Sequence, residues 1–277
     1  MMVEIKEDVP ENDWRRFLDI SSDATLYHTP EWKMFLEKTF NYKPRYLFAT
    51  DECGQLVGML PLFEVRSRLT GNRLCSVPFS HECTCLGDSV TRTALIDKAV
   101  SLRDCHRITK IEIRSAVENP LFHEMNAFCT HILELSQNLE ETWKQLDKSS
   151  VRWAVKKAEK LGVSVTSSTD IEDLKEFYEL NCITKQNLGV PCHPYEFFKN
   201  LFSILDGHVR LYLAQHEGNI IAGGVMEYYR DQVLYGYGAA DPNHLDLHPY
   251  NAFIWKSIED ACVNGCRTYD FGRTSYD

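Results

Sequence analysis

The chain has 277 residues, a formal net charge of −10 and the apolar and aromatic content of an ordinary globular protein. That length holds one large domain or two smaller ones with ample core. The acidic balance argues against a general nucleic-acid binder but permits a local basic patch. No apolar run approaches the roughly 20 residues of a membrane span, and the first residues lack a signal-peptide core, so a cytoplasmic location is expected.

The ten cysteines are scattered without a CxxC pair, as reduced small hydrophobes would be. The segment His81-Glu-Cys83-Thr-Cys85, with Cys75 nearby, lacks the second ligand pair that zinc wants. A polar loop with incidental thiols, and no metal, is the expectation there.

In chain order, Glu11 to Ile20 reads as a helix. Thr29 is a natural N-cap, Pro30 suits the first helical position, and Trp32, Phe35, Leu36 and Phe40 line one face of the helix that follows. Strands are expected over Arg45–Thr50 and Leu56–Val65, joined by Asp51-Glu-Cys-Gly54. Pro61 makes the second an edge or bulged strand. A third strand spans Leu74–Phe79, a helix Thr91–Cys105 and a further strand Lys110–Arg114. Cys129–Leu135 reads as a strand, followed by a helix that contains Trp143 and by a helix from Ser149 that Gly162 ends. Thr169 with Glu172 forms a capping box for a helix reaching Gln186.

The apolar runs Val209–Gln215 and Ile220–Tyr229, joined by Glu217-Gly218-Asn219, read as a hairpin. Gln232–Ala240 adds a third antiparallel strand. Pro249 opens a helix whose stripe is Ala252, Ile254, Trp255, Ile258 and Ala261-Cys262, and Gly265 closes it. A last strand spans Arg267–Arg273. Hairpin, strand, loop, helix, strand is the element order of a GNAT acyltransferase core.

The first half repeats that order. Arg45–Thr50 matches Arg210–Gln215, Gly54 matches Gly218 with a turn one residue shorter, and Val57-Gly58 matches Ile221-Ala222. A Pro-started aromatic helix precedes each hairpin, at Pro30–Phe35 and Pro194–Phe198. Two copies of one α/β module are therefore expected: an α/β (α+β) chain of two tandem GNAT-like domains, 1–145 and 146–277, each a mixed, mostly antiparallel sheet flanked by helices. The boundary falls between Leu135 and Ser150.

Several residues could carry chemistry. Arg152, Lys156 and Lys160 recur at i, i+4 and i+8 with Lys157 alongside, a cationic ridge suited to phosphate or to plain solvation. His193, expected at a helix N-cap, is either a base near neutral pH or a capping residue. Tyr235 and Tyr237 alternate with glycines, so alternation sends both to one face where a ligand can approach. Asp270 sits in an aromatic strand, where it is either a desolvated base or a partner of Arg273 or a helix end.

The ordered set Thr29-Pro-Glu-Trp32, Arg152–Gly162, Gly189–Phe198, Leu213–Gly223 and Tyr269-Asp-Phe-Gly272 resembles the FemAB family of aminoacyltransferases of peptidoglycan bridge formation, and the wider GNAT relatives. The resemblance implies transfer of an amino acid from aminoacyl-tRNA to an amine of a precursor, without metal, bound cofactor or covalent intermediate. For such a transferase Asp270, Tyr237 and His193 are the catalytic candidates among the residues above. Arg152, Lys156, Lys157, Lys185, Tyr235 and Arg273 would bind a phosphate-bearing substrate. Three departures stand out: the chain stops at Asp277, where family members continue into a Phe-Lys pair, so truncation or loss of that feature is expected. Met34 and Leu36 stand where lysines follow the Trp motif, and no heptad-bearing tRNA arm is visible. The alternatives are an acyl-CoA-dependent N-acyltransferase, although Asp241–His248 lacks the glycines of a pyrophosphate loop, and a non-catalytic ligand-binding protein of the same fold.

Overall fold

The computed structural model describes residues 3–67, 71–105 and 108–276, and the chain divides into two compact units, up to Asn126 and from Ala127 onward. In the first unit the elements are β1 (Glu4–Lys6), α1 (Glu11–Ile20), a 3-10 turn (Leu26–His28), α2 (Pro30–Phe40), β2 (Lys43–Pro44), β3 (Leu47–Thr50), β4 (Leu56–Leu60), β5 (Phe63–Ser67), β6 (Gly71–Cys75), α3 (Ser89–Cys105) and β7 (Lys110–Glu112). Helix α2 starts as its sequence requires: the Thr29 hydroxyl accepts the Trp32 N–H, and Trp32, Phe35 and Leu36 are buried.

The strand expected over Leu56–Val65 is two strands. Proline lacks the N–H a ladder needs, and the chain leaves one sheet at Pro61 and joins another. β4 belongs to the sheet β1-β3-β4 and β5 to the sheet β2-β5-β6-β7. The third strand ends at Cys75 rather than Phe79, because Val77 and Phe79 take positive φ, 49° and 68°, which no strand tolerates. The residues that follow fill the space where β6 and β7 end. Ser76 Oγ donates to the Cys83 carbonyl and accepts the Arg114 N–H, and the Arg114 guanidinium donates to the Ser80 carbonyl.

The second unit comprises β8 (Phe128–Glu134), α4 (Leu139–Gln145), α5 (Val151–Lys160), β9 (Ser164–Ser168), α6 (Leu174–Asn187), α7 (Tyr195–Ile204), β10 (Val209–His216), β11 (Asn219–Tyr229), β12 (Gln232–Ala240), α8 (Pro249–Val263) and β13 (Thr268–Ser275). They form one six-stranded sheet in the order β8-β13-β12-β11-β10-β9. β8, expected between the copies, is thus an edge strand of this sheet. All pairs are antiparallel except β12 with β13. A Cβ on Gly223 would meet Phe177 of α6, and one on Gly224 would meet Phe253 of α8. Successive strand residues point to opposite faces, so α6 and α8 cover opposite sides of the sheet.

Both hairpins carry a register shift at the same repeat position, between Ala49 and Thr50 and between Ala214 and Gln215. Each unit also holds one parallel pair, β6 with β7 and β12 with β13. These shared irregularities are the structural form of the repeat.

Two sequence expectations about caps are corrected. The Thr169–Glu172 box does not form, because α6 begins at Leu174 and Asp170 accepts the Glu172 N–H in a turn before it. The N-cap of α7 is Pro194, and His193 lies one residue ahead of it. On α8 the buried stripe includes Phe253, while Ile254 and Trp255 are half-buried. Among the described residues no helix is long and apolar enough to cross a membrane.

Candidate active site

The second unit's sheet opens at one place. β12 and β13 pair at Gln232–Thr268, Val233–Tyr269 and Leu234–Asp270. Beyond that row β12 runs on to Ala240 and β13 to Ser275 with no further pairing between them. The backbone N–H and C=O groups on the facing edge of β12 are left for something other than a strand of this sheet. The matching end in the first unit is occupied by the chain's own Ser76–Cys83 segment.

A bulge sits where the strands part. Val225 pairs with Tyr237 and Met226 with Tyr235, so Gly236 is the extra residue. The bulge corrects the expectation that the two tyrosines share a face. Tyr235 turns to the α8 side, with its ring 6.3 Å from Phe253. Tyr237 turns to the α7 side, with Phe198 at 5.3 Å and Phe197 at 5.6 Å. Simple alternation fails here because one inserted residue shifts everything beyond it by one step. Gly238 is required by the same packing, since a Cβ there would fall on the Tyr235 hydroxyl.

His193 stacks on Phe197 with centroids 4.2 Å apart and lies 6.2 Å from Tyr237. As the residue before the cap, it staples the start of α7 through its ring. Burial lowers its pKa, and the nearby Lys185 charge lowers it further, so the imidazole is neutral at neutral pH. Tyr237, held among these rings, is pushed well above the usual phenol range by burial and by the Glu227 charge. It stays a proton donor. The structure therefore brings Tyr237, His193 and Lys185 together.

Asp270 lies across the gap on β13. Its neighbour Tyr269 points into the α8-side core, where its hydroxyl meets Ser257 and Met226, so Asp270 faces the α6 and α7 side. Its Oδ1 accepts the Gly272 N–H at 2.8 Å. Burial raises its pKa, against the opposing effects of that hydrogen bond and of His131. Ile132, its partner on β8, is 61% exposed, so this side of β13 is open to solvent.

Other expected site residues lie elsewhere. Arg273 is exposed, with its guanidinium 4.5 Å from the Phe128 ring near the edge of the sheet. On α5 the cations separate. Lys156 sits 5.9 Å from the Trp143 ring, while Lys157 sits 4.8 Å from the Trp153 ring. Trp153 in turn lies 5.1 Å from His248, the N-cap of α8. Arg152 has a buried Nε without a hydrogen-bond partner. The loop before α8 is a 3-10 turn whose first N–H groups Asp241 already serves, bonding Asn243 N at 2.9 Å and pairing with His244 at 2.8 Å. Among the described residues no cluster of His, Cys, Asp and Glu could hold a metal.

Residues 147–277 match the acetyltransferase (GNAT) domain family. A curated relative, the UDP-N-acetylmuramoylpentapeptide-lysine N(6)-alanyltransferase of Weissella viridescens, is 24% identical over 133 residues. That match takes in 48% of this chain and 39% of the relative, so well under half of the relative's length is matched. The crystal structure of FemX superposes with a TM-score of 0.77 at 17% identity, covering 100% of this chain and 90% of that one. The second half thus carries a GNAT acetyltransferase domain, and the whole chain has the fold of FemX. A tandem GNAT protein from the clavulanic acid biosynthesis pathway, at TM-score 0.55 and 13% identity, shares the arrangement over 100% of this chain and 91% of its own. These structural likenesses show the fold of the whole chain as tandem GNAT.

One residue of this site escaped the sequence reading. Glu227 is 4% exposed on β11, in the row Glu227–Leu234–Asp270 that crosses three strands. A carboxylate set at an inward position of the apolar run Ile220–Tyr229 was the available signal.

Proposed function

We propose that this FemAB-like chain transfers an acyl or aminoacyl group from an activated ester or thioester to an amine on a phosphate-bearing precursor. The observation that carries this is the parting of β12 and β13 beyond Leu234–Asp270, flanked by a carboxylate of raised pKa and a phenol that keeps its proton. The groups of β12 between Leu234 and Ala240 that no strand pairs suit an extended donor chain, with Thr184 already bonding the backbone of Ala240 at the far end, and an N–H there can donate to the oxygen on which charge grows. Asp270 takes the proton of the attacking amine, for which a raised pKa is an advantage near neutral pH. Tyr237 donates to the departing oxygen, and neutral His193 holds the Tyr237 side of the pocket. Lys157, Arg152 and the N-terminus of α8 suit the phosphates of donor or acceptor.

Aminoacyl-tRNA is the preferred donor in this reading. The 24% identity to an alanyltransferase supports it, as does Asp241, whose carboxylate serves amides that a CoA pyrophosphate would use. The relative's acceptor, a lysine amine on a UDP-linked pentapeptide, is the acceptor class we assign here. Offering labelled alanyl-tRNA and, separately, acetyl-CoA with a lysine-containing UDP-linked peptide tests the reading by mass spectrometry. Alanine on the lysine amine is expected. Acetylation alone would favour the acyl-CoA alternative, and no transfer from either donor would refute the proposal.

A further inference from the structure

Two thiols meet where α6 and the loop before α7 come together. Cys182 stands on α6, Cys192 stands in that loop directly ahead of His193, and both are half-buried. Cys182 Sγ donates to Cys192 Sγ at 3.4 Å, and the buried Asn181 donates from Nδ2 to the same Cys192 sulfur at 3.1 Å. A disulfide spans about 2.0 Å, so the sulfurs have about 1.4 Å to close from their 3.4 Å separation. The loop can supply that movement. Its start is tied to α6 by the Val190 N–H on the Lys185 carbonyl at 3.0 Å, whereas Pro191, Cys192 and His193 belong to no helix or strand, and Leu188 and Val190 are exposed. Cys182 is held on a helix whose Phe177 and Leu180 are buried. The surroundings also set an order for the two thiols. Burial, with the hydrogen bond and charge of Cys182, pushes the Cys192 thiol up to about 11, against the pull of Lys185 and Asn181. Cys192 keeps its proton, so the first attack falls to Cys182. Once the Cys182 sulfur is capped, its charge no longer opposes Cys192, and Lys185 and Asn181 favour the second thiolate.

We infer that Cys182 and Cys192 form a reversible dithiol–disulfide site, oxidised by a low-molecular-weight disulfide such as oxidised glutathione, and that closing it fixes the loop before α7 on α6. The Cys182 thiolate attacks one sulfur of the glutathione disulfide, forming a mixed disulfide and releasing one glutathione thiolate. The Cys192 thiolate then attacks the Cys182 sulfur and releases the second. The two protein thiols give up two electrons and two protons, and the glutathione disulfide takes them up as two thiols. His193 follows Cys192 between Pro191 and Pro194, so the bond also restrains the imidazole that stacks on Phe197. In a reducing compartment such a bond is transient and reports the local redox poise. No step of this chemistry draws on the transferase reading, so failure of either leaves the other standing.

Peptide mapping of the wild-type chain after equilibration in buffers of reduced and oxidised glutathione provides the test. Trypsin cuts after Lys175, Lys185 and Lys199, so Cys182 and Cys192 fall in separate peptides, Glu176–Lys185 and Gln186–Lys199. After alkylation of the remaining thiols in urea, the oxidised chain should yield these two peptides joined and lighter by two hydrogens, and dithiothreitol should separate them. The equilibrium constant for the link should be at least about tenfold greater in the folded chain than in the chain kept in urea, because the fold already holds the sulfurs together. Both thiols alkylated under excess oxidised glutathione, glutathione adducts without the link, or a constant no greater in the folded chain would overturn the site. Amide hydrogen exchange reads the loop: Gly189, Val190, Cys192 and His193 should exchange at least about threefold more slowly once the bond has closed. Unchanged exchange in a fully linked chain would overturn the anchoring of the loop.

Discussion

The hydroxyl of Tyr235 occupies the place where a side chain on Gly238 would begin. Two residues of one strand thus share a single volume on the α8 side, three positions apart, because the bulge at Gly236 returns them to the same face. Gly238→Ala should cost about 1–3 kcal/mol by overpacking, read as a lowered midpoint in urea. Removing the hydroxyl with Tyr235→Phe should recover part of that loss in the double variant. Strictly additive effects would mean that the two side chains do not compete for the space.

The cations of α5 should differ in what they do. Lys157 shares Trp153 with the N-terminal end of α8, whereas Lys156 leans on Trp143. Lys157→Glu should weaken tRNA binding and lower the slope of log K against log salt by about one unit. Lys156→Glu should change both less. Equal effects would assign the whole ridge to nonspecific attraction.

A pH-dependent contribution to stability is built into the first unit. His28 is fully buried, its Nδ1 accepting the Thr25 N–H at 3.1 Å and its Nε2 bonding the Thr84 carbonyl at 2.8 Å. Burial lowers its pKa from 6.5 to about 4. The folded state therefore holds the neutral ring. Its contribution is complete above the ordinary histidine value near 6.5 and is lost as pH falls from there through about 4, a change of about 3 kcal/mol. Urea unfolding at pH 7, 6, 5 and 4 should show this loss, and His28→Gln should flatten it. A variant with the wild-type slope would place the acid sensitivity elsewhere.

Local signals made much of this fold legible. Pro30 and Pro249 start their helices where the sequence indicates, and α1 spans Glu11–Ile20 as expected. The repeat was visible because Ala49 and Ala214 stand in equivalent hairpins. What strand alternation could not reveal was the inserted residue at Gly236, since a bulge depends on the partner strand and leaves no local mark beyond the glycine itself. The facing of Tyr235, the place of Glu227 and the separation of Lys156 from Lys157 all follow from tertiary neighbours. Pro61 carries the local signal of a bulge or edge strand, yet it marks the passage of the chain from one sheet to another, which only the two sheets' partners decide.

The proposed proton acceptor gives the sharpest test. Asp270 has a pKa raised by burial, so the fold disfavours its charged form, and Asp270→Asn should leave the melting temperature unchanged or raise it. The measurement is the single-turnover rate of alanine transfer from alanyl-tRNA to a lysine-containing UDP-linked peptide, followed from pH 5 to 8 in the wild type and in Asp270→Asn. The wild-type rate should climb through a pKa above the ordinary carboxylate value as Asp270 loses its proton. The folded variant should be about 100-fold slower or worse and should lack that acid limb. A variant that transfers at the wild-type rate with the same pH profile would contradict a role for Asp270, and with it an active centre at the parting of β12 and β13.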